Sequence, residues 1–133
     1  MSAAAETRGT PGGCEILDER ALDRLATELH GSRLIVRHFV DDFVAGWDVK
    51  LNRLHSACLA HDAAEAYVTL LSIRTSSEMI GAVALAKTAG RLQGYASDGR
   101  IDECCRAQPV LAAIGARTLA VLRDPDLRAD RLS

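Results

Sequence analysis

The feature that most constrains this chain is a run of small and apolar residues at helical spacing that stops at a glycine. Four residues recur at steps of three and four and predict one buried stripe of a helix: Leu70, Ile73, Ser77 and Ile80. Gly81 separates this run from the next periodic run. The stretch therefore predicts the end of one helix and the start of another.

The adjacent stripe of the same helix is predicted to face outward. It carries a mixed set of apolar, polar and charged residues: Tyr67, Leu71, Arg74, Thr75 and Glu78. Because Leu70 and Leu71 are neighbours, a slight rotation of the helix would instead bring Leu71 into the core. The sequence leaves both orientations of Leu71 open.

Four further amphipathic runs flank this helix. The periodicity predicts helices over 20–30, 32–58, 63–79, 82–97 and 101–123. Asp18 and Asp62 are predicted N-caps, and Gly31 is the predicted end of the first helix. Gly46 inside the second helix predicts a close contact, and Pro109 inside the fifth predicts a kink or break.

Composition agrees with packed helices rather than sheets. Hydrophobic residues make up 48% of the 133 residues and aromatic residues only 4%, and Ala and Leu dominate the periodic runs. We expect an all-α protein, an antiparallel four-helix bundle with a short additional N-terminal helix. The predicted organisation is a disordered leader over 1–15, the bundle over 16–123 and a charged tail over 124–133.

Several classes of partner are not expected. The formal net charge is −2 with both signs interspersed, so no basic face for nucleic acid is predicted. No run of 18 apolar residues predicts a membrane span, and the start of the chain lacks the apolar segment of a secretory signal. We therefore expect a cytoplasmic protein whose four cysteines, Cys14, Cys58, Cys104 and Cys105, are reduced and have no redox role.

No metal or cofactor site is predicted. His55, Cys58 and His61 have a spacing reminiscent of metal ligands. The third of them would lie about 120° around a continuous helix from the first, and no fourth ligand is apparent. No glycine-rich phosphate loop occurs either.

The stretch from Leu71 to Ala82 resembles the signature of the histidine phosphotransfer (HPt) domain. That family's pattern is His, Ser or Thr, an aliphatic residue, Lys, Gly or Ser, two small residues, two variable residues, an aliphatic residue and Gly-Ala. The matching positions are Ser72, Ile73, Ser76, Ser77, Ile80, Gly81 and Ala82, with Arg74 where Lys is usual and Thr75 in place of a small residue. The likeness extends over about residues 16 to 122.

The same comparison puts Leu71 at the position of the phospho-accepting His. Because leucine has no nucleophile, the resemblance implies the HPt fold without phosphotransfer, and we expect no enzymatic activity. None of the other histidines, His30, His38, His55 and His61, is expected to replace the acceptor. Arg74 would retain the positive charge that the family places beside the incoming phosphate.

The resemblance implies a response-regulator receiver domain or a histidine kinase as partner. The predicted partner-binding residues are Tyr67, Leu71, Arg74, Thr75 and Glu78, together with Lys50, which level matching of the two helices puts opposite Leu71. One alternative is a helical interaction or oligomerisation module outside phosphorelay, for example a homodimer. Another is an active phosphotransfer protein that uses one of the other histidines.

Overall fold

The computed structural model describes residues 16–28 and 33–123. Five helices follow one another and no strand occurs among these residues: α1 Glu19–Glu28, α2 Arg33–Leu59, α3 Ala63–Ile80, α4 Val83–Ser97 and α5 Ile101–Leu122. Helices α2 to α5 form an antiparallel four-helix bundle, and α1 packs on α2 and α3. The predicted fold is confirmed. The predicted leader over 1–15, the tail over 124–133 and the first helix end at Gly31 lie outside the described residues.

The two predicted aspartate caps are present. Asp62 Oδ1 accepts a hydrogen bond of 3.0 Å from the backbone N–H of Glu65 at the start of α3, and Asp18 Oδ1 accepts one of 3.0 Å from Arg20 at the start of α1. These bonds satisfy N–H groups that have no partner within the first turn of a helix. The helix starts are therefore encoded locally.

Gly81 ends α3 in the left-handed conformation, with φ of 81°. This conformation lets the N–H of Ala82 reach the carbonyl of Ser77 at 2.8 Å and turns the chain into α4. The Gly81 carbonyl also accepts the backbone N–H of Asp18. The α3–α4 turn thus holds the start of α1.

The core lies along the axis of the bundle. The predicted α3 stripe is buried at all four of its positions, and the buried residues of α4 include Leu85, Thr88, Ala89 and Leu92. The largest fully buried side chains come from every helix: Leu22, Val36, Val40, Leu54, Leu70, Ile73, Ile80, Leu85, Leu92, Leu111 and Leu122. Periodicity therefore identified the inner face of α3 correctly.

The close helix contact lies at Gly115 rather than at Gly46. A Cβ added to Gly46 would meet no atom within 4 Å, so the predicted contact there is wrong. A Cβ added to Gly115 in α5 would lie 2.1 Å from Cζ2 of Trp47 in α2. The reason is that the Trp47 ring points into the core and occupies the space that a side chain at position 115 of α5 would fill. Gly46 lies beside Trp47 on the side nearer the surface.

Helix α5 continues through Pro109, so of the predicted kink or break the break does not occur. Proline removes the N–H that would bond the carbonyl of Cys105. Pro109 is exposed, and water can therefore solvate this side of the helix. Burial of Leu111 and Leu119 holds the second half of α5 in place.

None of the helices described above is both long enough and apolar enough to span a bilayer.

Candidate partner-binding surface

Leu71 lies on the surface of α3 and does not join the core. Its side chain is 37% exposed, whereas the neighbouring Leu70 is completely buried. Tyr67 lies one turn earlier on the same stripe and is 38% exposed. We refer to Tyr67, Leu71, Arg74, Thr75 and Glu78 as the Leu71 surface. At its centre is an aliphatic side chain that can pack against a partner but has no lone pair for covalent chemistry.

Arg74 turns from this surface toward α4. Its Nη1 donates a hydrogen bond of 2.7 Å to Oε1 of Gln93. Its Nε lies 3.6 Å from Oε2 of Glu78, an ion pair between residues one turn apart. Arg74 Nε is buried without a hydrogen-bond partner. The hydrogen bond to Gln93 of α4 thus sets the orientation of the guanidinium, which stays partly exposed at the side of the Leu71 surface.

Two residues of α4 that are not among the predicted site residues, Gln93 and Gly90, position Arg74. Gln93 is 5% exposed and is one of the few buried polar residues. Gly90 lies one turn earlier, where an added Cβ would be 3.4 Å from Cδ of Arg74. The sequence does hold a signal for this contact: Gln93 and Gly90 lie about one turn apart beside the buried stripe of α4. A buried amide such as that of Gln93 needs a hydrogen-bond partner, and a glycine leaves room for a long side chain from a neighbouring helix.

The two other polar members of the surface are bound locally. Thr75 Oγ1 donates to the carbonyls of Leu71, at 3.0 Å, and Ser72, at 3.2 Å. Glu78 is exposed and pairs with Arg74. Thr75 and Glu78 therefore lie beside Leu71 with their polar groups already bonded, and neither adds an unpaired buried charge to the surface.

Lys50 reaches Ser76 rather than Leu71. Its Nζ donates a hydrogen bond of 3.2 Å to Ser76 Oγ. Side chains on a helix lean toward its N-terminus, so the tip of Lys50 points toward the start of α2. Because α3 is antiparallel to α2, this moves the tip toward the C-terminal end of α3, past the level of Leu71. Burial, and secondarily the charge of Arg53, lowers the pKa of Lys50. This lysine therefore lies in the α2–α3 groove beside Ser76.

The described histidines do not lie on the Leu71 surface. His38 and His55 are exposed on α2. His61, in the turn before α3, pairs through Nε2 with Asp102 Oδ1 at 3.4 Å and is about 15 Å along the helix from Leu71. His30 lies outside the described residues.

The histidine and cysteine side chains of the 55–61 segment do not converge. Cys58 is buried whereas His55 and His61 are exposed. Within 16–28 and 33–123, no group of three histidine, cysteine or acidic side chains is arranged to hold a metal ion.

Comparison with solved structures gives a match over the whole bundle. The chain is similar to the crystal structure of histidine-containing phosphotransfer protein B from Pseudomonas aeruginosa PAO1, with a TM-score of 0.66 and 28% sequence identity over 87% of this chain and 94% of that one. The fold is HPt-like. No family model matches the chain, and comparison with curated proteins gave no match. The HPt-like fold is the architecture on which the Leu71 surface is built.

Proposed function

We propose that this protein is an HPt-like component of a two-component phosphorelay that binds a receiver domain or a histidine kinase without carrying phosphate. It would act by competing for, sequestering or tethering its partner. The proposal supposes that Leu71 occupies the acceptor position. The observation that supports it most is an exposed leucine on α3 of an HPt-like fold, with Arg74 one turn away.

The Leu71 surface has the chemistry of a docking patch. Leu71 and Tyr67 offer apolar area that a partner would remove from water. Arg74 adds a cation whose orientation is set by Gln93, so little side-chain freedom is lost when an acidic group of the partner approaches. An apolar centre with a positioned cation suits a receiver, whose phosphorylation site is acidic, as the family resemblance implies.

An NMR titration of the ¹⁵N-labelled full chain with receiver domains from the same organism tests this proposal. We expect amide shifts to cluster over residues 67–78. Leu71→Asp is expected to weaken binding tenfold or more, about 1.4 kcal/mol, because it places a charge in the apolar centre. The matched control is Val110→Asp, which changes an exposed apolar residue on α5 and is expected to leave binding unchanged.

Three results would contradict the docking proposal. Shifts that cluster on another face would show a different binding surface, and equal effects of Leu71→Asp and Val110→Asp would remove the role of Leu71. The absence of shifts with any receiver or kinase domain of the organism would leave the protein outside phosphorelay.

A helical oligomerisation module is the second candidate, and exposed apolar side chains along the groove between α2 and α3 favour it. Phe39 of α2 and Met79 of α3 are exposed and line one cleft of about 170 Å³. Val49 and Val68 add exposed apolar area on the same two helices. If copies of the chain pair through this groove, light scattering will give a dimer mass that Met79→Glu lowers and Leu71→Asp does not.

A further inference from the structure

A cavity of about 440 Å³, partly open to solvent, lies between α1, α3 and α4. Its volume is within the range of small-molecule sites, about 300–1,000 Å³. Arg74 and Glu78 belong both to its lining and to the Leu71 surface, whereas Leu71 and Tyr67 do not line it. The cavity is therefore distinct from the apolar centre of the Leu71 surface, although the two share one wall.

Small residues leave the space that the cavity occupies. Ala86 and Gly90 of α4, Ala21 of α1 and Gly81 at the end of α3 all line it. A Cβ added to Gly90 would lie 3.4 Å from Cδ of Arg74, so a larger side chain there would fill the space beside the arginine. Ala21 and Ala86 are buried. They give the cavity an apolar wall against which the nonpolar part of a ligand can pack.

Each of the three helices brings one cation to the cavity. Arg24 comes from α1, Arg74 from α3 and Lys87 from α4. Among the described residues, the lining also holds the carboxylates of Asp18 and Glu78, so the cations outnumber the carboxylates by one. Charges of one sign that surround a concave site attract an opposite charge more strongly than the same charges on a flat surface. The lining therefore favours an anionic ligand.

Both carboxylates of the lining are already engaged within the protein. Asp18 Oδ1 accepts the backbone N–H of Arg20 at 3.0 Å and lies 3.7 Å from Nε of the same residue. Glu78 lies 3.6 Å from Nε of Arg74, and 57% of its side chain is exposed. Because an ion pair this exposed is weak, the Glu78 carboxylate can turn into solvent when another anion takes its place.

The guanidinium of Arg74 has an N–H group that lacks an acceptor. Nη1 bonds Gln93 at 2.7 Å, whereas Nε is buried and no described residue lies within hydrogen-bonding distance of it. A buried N–H without an acceptor is unfavourable. Arginine presents its N–H groups as a planar fork that fits the oxygens of a phosphate or a carboxylate. An anion in the place of Glu78 would supply the acceptor that the protein does not give Nε.

We propose that the cavity between α1, α3 and α4 binds a small organic anion, a phosphate ester or a carboxylate with a compact apolar body. Arg24, Arg74 and Lys87 bind the anionic group, and Ala21 and Ala86 contact the apolar body. This site goes beyond the proposed function and does not depend on it, because the ligand binds the chain in the absence of any partner protein.

An NMR titration of the ¹⁵N-labelled full chain with phenyl phosphate tests the proposal. We expect saturable amide shifts within residues 18–24 and 74–90 at up to about 10 mM, the range in which such small probes bind. Benzyl alcohol has the ring without the charge, and inorganic phosphate has the charge without the ring. Each should bind about tenfold more weakly than phenyl phosphate.

Benzoate distinguishes the two classes of anion. An affinity equal to that of phenyl phosphate would assign the site to organic anions of both classes. An affinity about tenfold lower would restrict it to phosphate esters, whose second negative charge can engage more of the three cations.

Single variants connect the binding to the cavity. Arg24→Gln and Lys87→Gln each remove one cation from an exposed side chain and should weaken phenyl phosphate binding about three- to tenfold. Glu78→Gln removes the competing carboxylate and should strengthen it. Arg91→Gln is the matched control, because Arg91 is an exposed cation of α4 that does not line the cavity. It should leave the affinity unchanged, and circular dichroism verifies that each variant is folded.

Four results would overturn the proposal. They are the absence of saturable shifts with both phenyl phosphate and benzoate, shifts that cluster outside α1, α3 and α4, equal affinity for phenyl phosphate and either of its two comparison compounds, and equal effects of Lys87→Gln and Arg91→Gln. Because no partner protein is present in these titrations, none of these results bears on whether the Leu71 surface binds a receiver domain.

Discussion

At the scale of single residues, the proposed role of the Leu71 surface would separate partner binding from phosphoryl transfer. A leucine and a histidine occupy similar volumes, and either can lie on the exposed stripe of α3 without disturbing Leu70 beneath it. The surroundings of Leu71 stay the same in either case: Arg74 is held by Gln93 at 2.7 Å. What leucine lacks is the ring nitrogen that would attack a phosphoryl group.

Leu71→His is therefore expected to create a phosphate acceptor. The change should alter the free energy of unfolding by no more than about 0.5 kcal/mol, because the site is at the surface. With a phosphorylated receiver that binds the protein, we expect an acid-labile phosphoryl group on Leu71→His. Phosphate-affinity gels with and without acid treatment measure it.

Val68→His is the matched control, because Val68 is an exposed apolar residue of the same helix. Neither this variant nor the unchanged protein should be labelled. Labelling of the unchanged protein would show that one of its own histidines accepts phosphate. Absence of labelling in Leu71→His, with a receiver that demonstrably binds, would mean that Leu71 is not at the acceptor position.

The sequence pattern predicted which side chains are exposed. It did not predict which residues those side chains contact. The outward stripe of α3 follows from helical periodicity alone. The Arg74–Gln93 hydrogen bond and the Lys50–Ser76 hydrogen bond join different helices. They depend on the rotation and offset of those helices, which a single sequence does not specify.

At the scale of helices, local signals predicted the ends and tertiary packing decided the interior. Asp62 and Gly81 mark the bounds of α3 because their capping bonds are made within a few residues. The predicted contact at Gly46 and the predicted break at Pro109 do not occur, for the opposite reason. The effect of each residue depends on what faces it: a Cβ at Gly46 would meet no atom, and Pro109 is exposed.

The contact between Trp47 and Gly115 sets the approach of α2 and α5. Gly115→Ala is expected to lower the free energy of unfolding by about 1–3 kcal/mol, because the new methyl group would overlap the indole ring. Urea denaturation followed by circular dichroism measures this change. Trp47 also stacks on Phe43 with ring centroids 6.2 Å apart, so the indole has little room to retreat.

Gly46→Ala provides the matched comparison one residue from Trp47. Since its Cβ would meet nothing, the better helix propensity of alanine should raise stability by roughly 0.5–1 kcal/mol. Equal effects of the two substitutions would contradict the role assigned to the α2–α5 contact.

At the scale of the whole molecule, the buried thiols link stability to pH. Burial raises the pKa of Cys58 to about 12 and that of Cys104 to about 11, whereas unfolded thiols ionise at about pH 8.5. Above that pH the unfolded chain releases protons that the folded chain keeps, so the unfolded state gains stability. The contribution of these thiols is fully present below about pH 8.5 and is lost as pH rises toward the folded values.

We expect the free energy of unfolding to decrease between about pH 9 and pH 11 by up to about 1.4 kcal/mol per pH unit for each thiol. Denaturant unfolding in the presence of a reductant measures this slope. A variant with both Cys58→Ala and Cys104→Ala should be less stable at pH 7 but show a shallower slope. Parallel curves for the two proteins would contradict the linkage.

The turn at Gly81 has a consequence for how such chains are classified. A side chain there would collide with the carbonyl oxygen of Asp18, at 2.4 Å from the added Cβ, and φ of 81° disfavours any other residue. Ser77, Ile80 and Ala82 are buried around it. These shared signature positions are therefore requirements of the architecture, which a chain must meet to build the bundle at all. A match to them identifies the fold and says nothing about the reaction, for which Leu71, the single position before Ser72, has to be considered on its own.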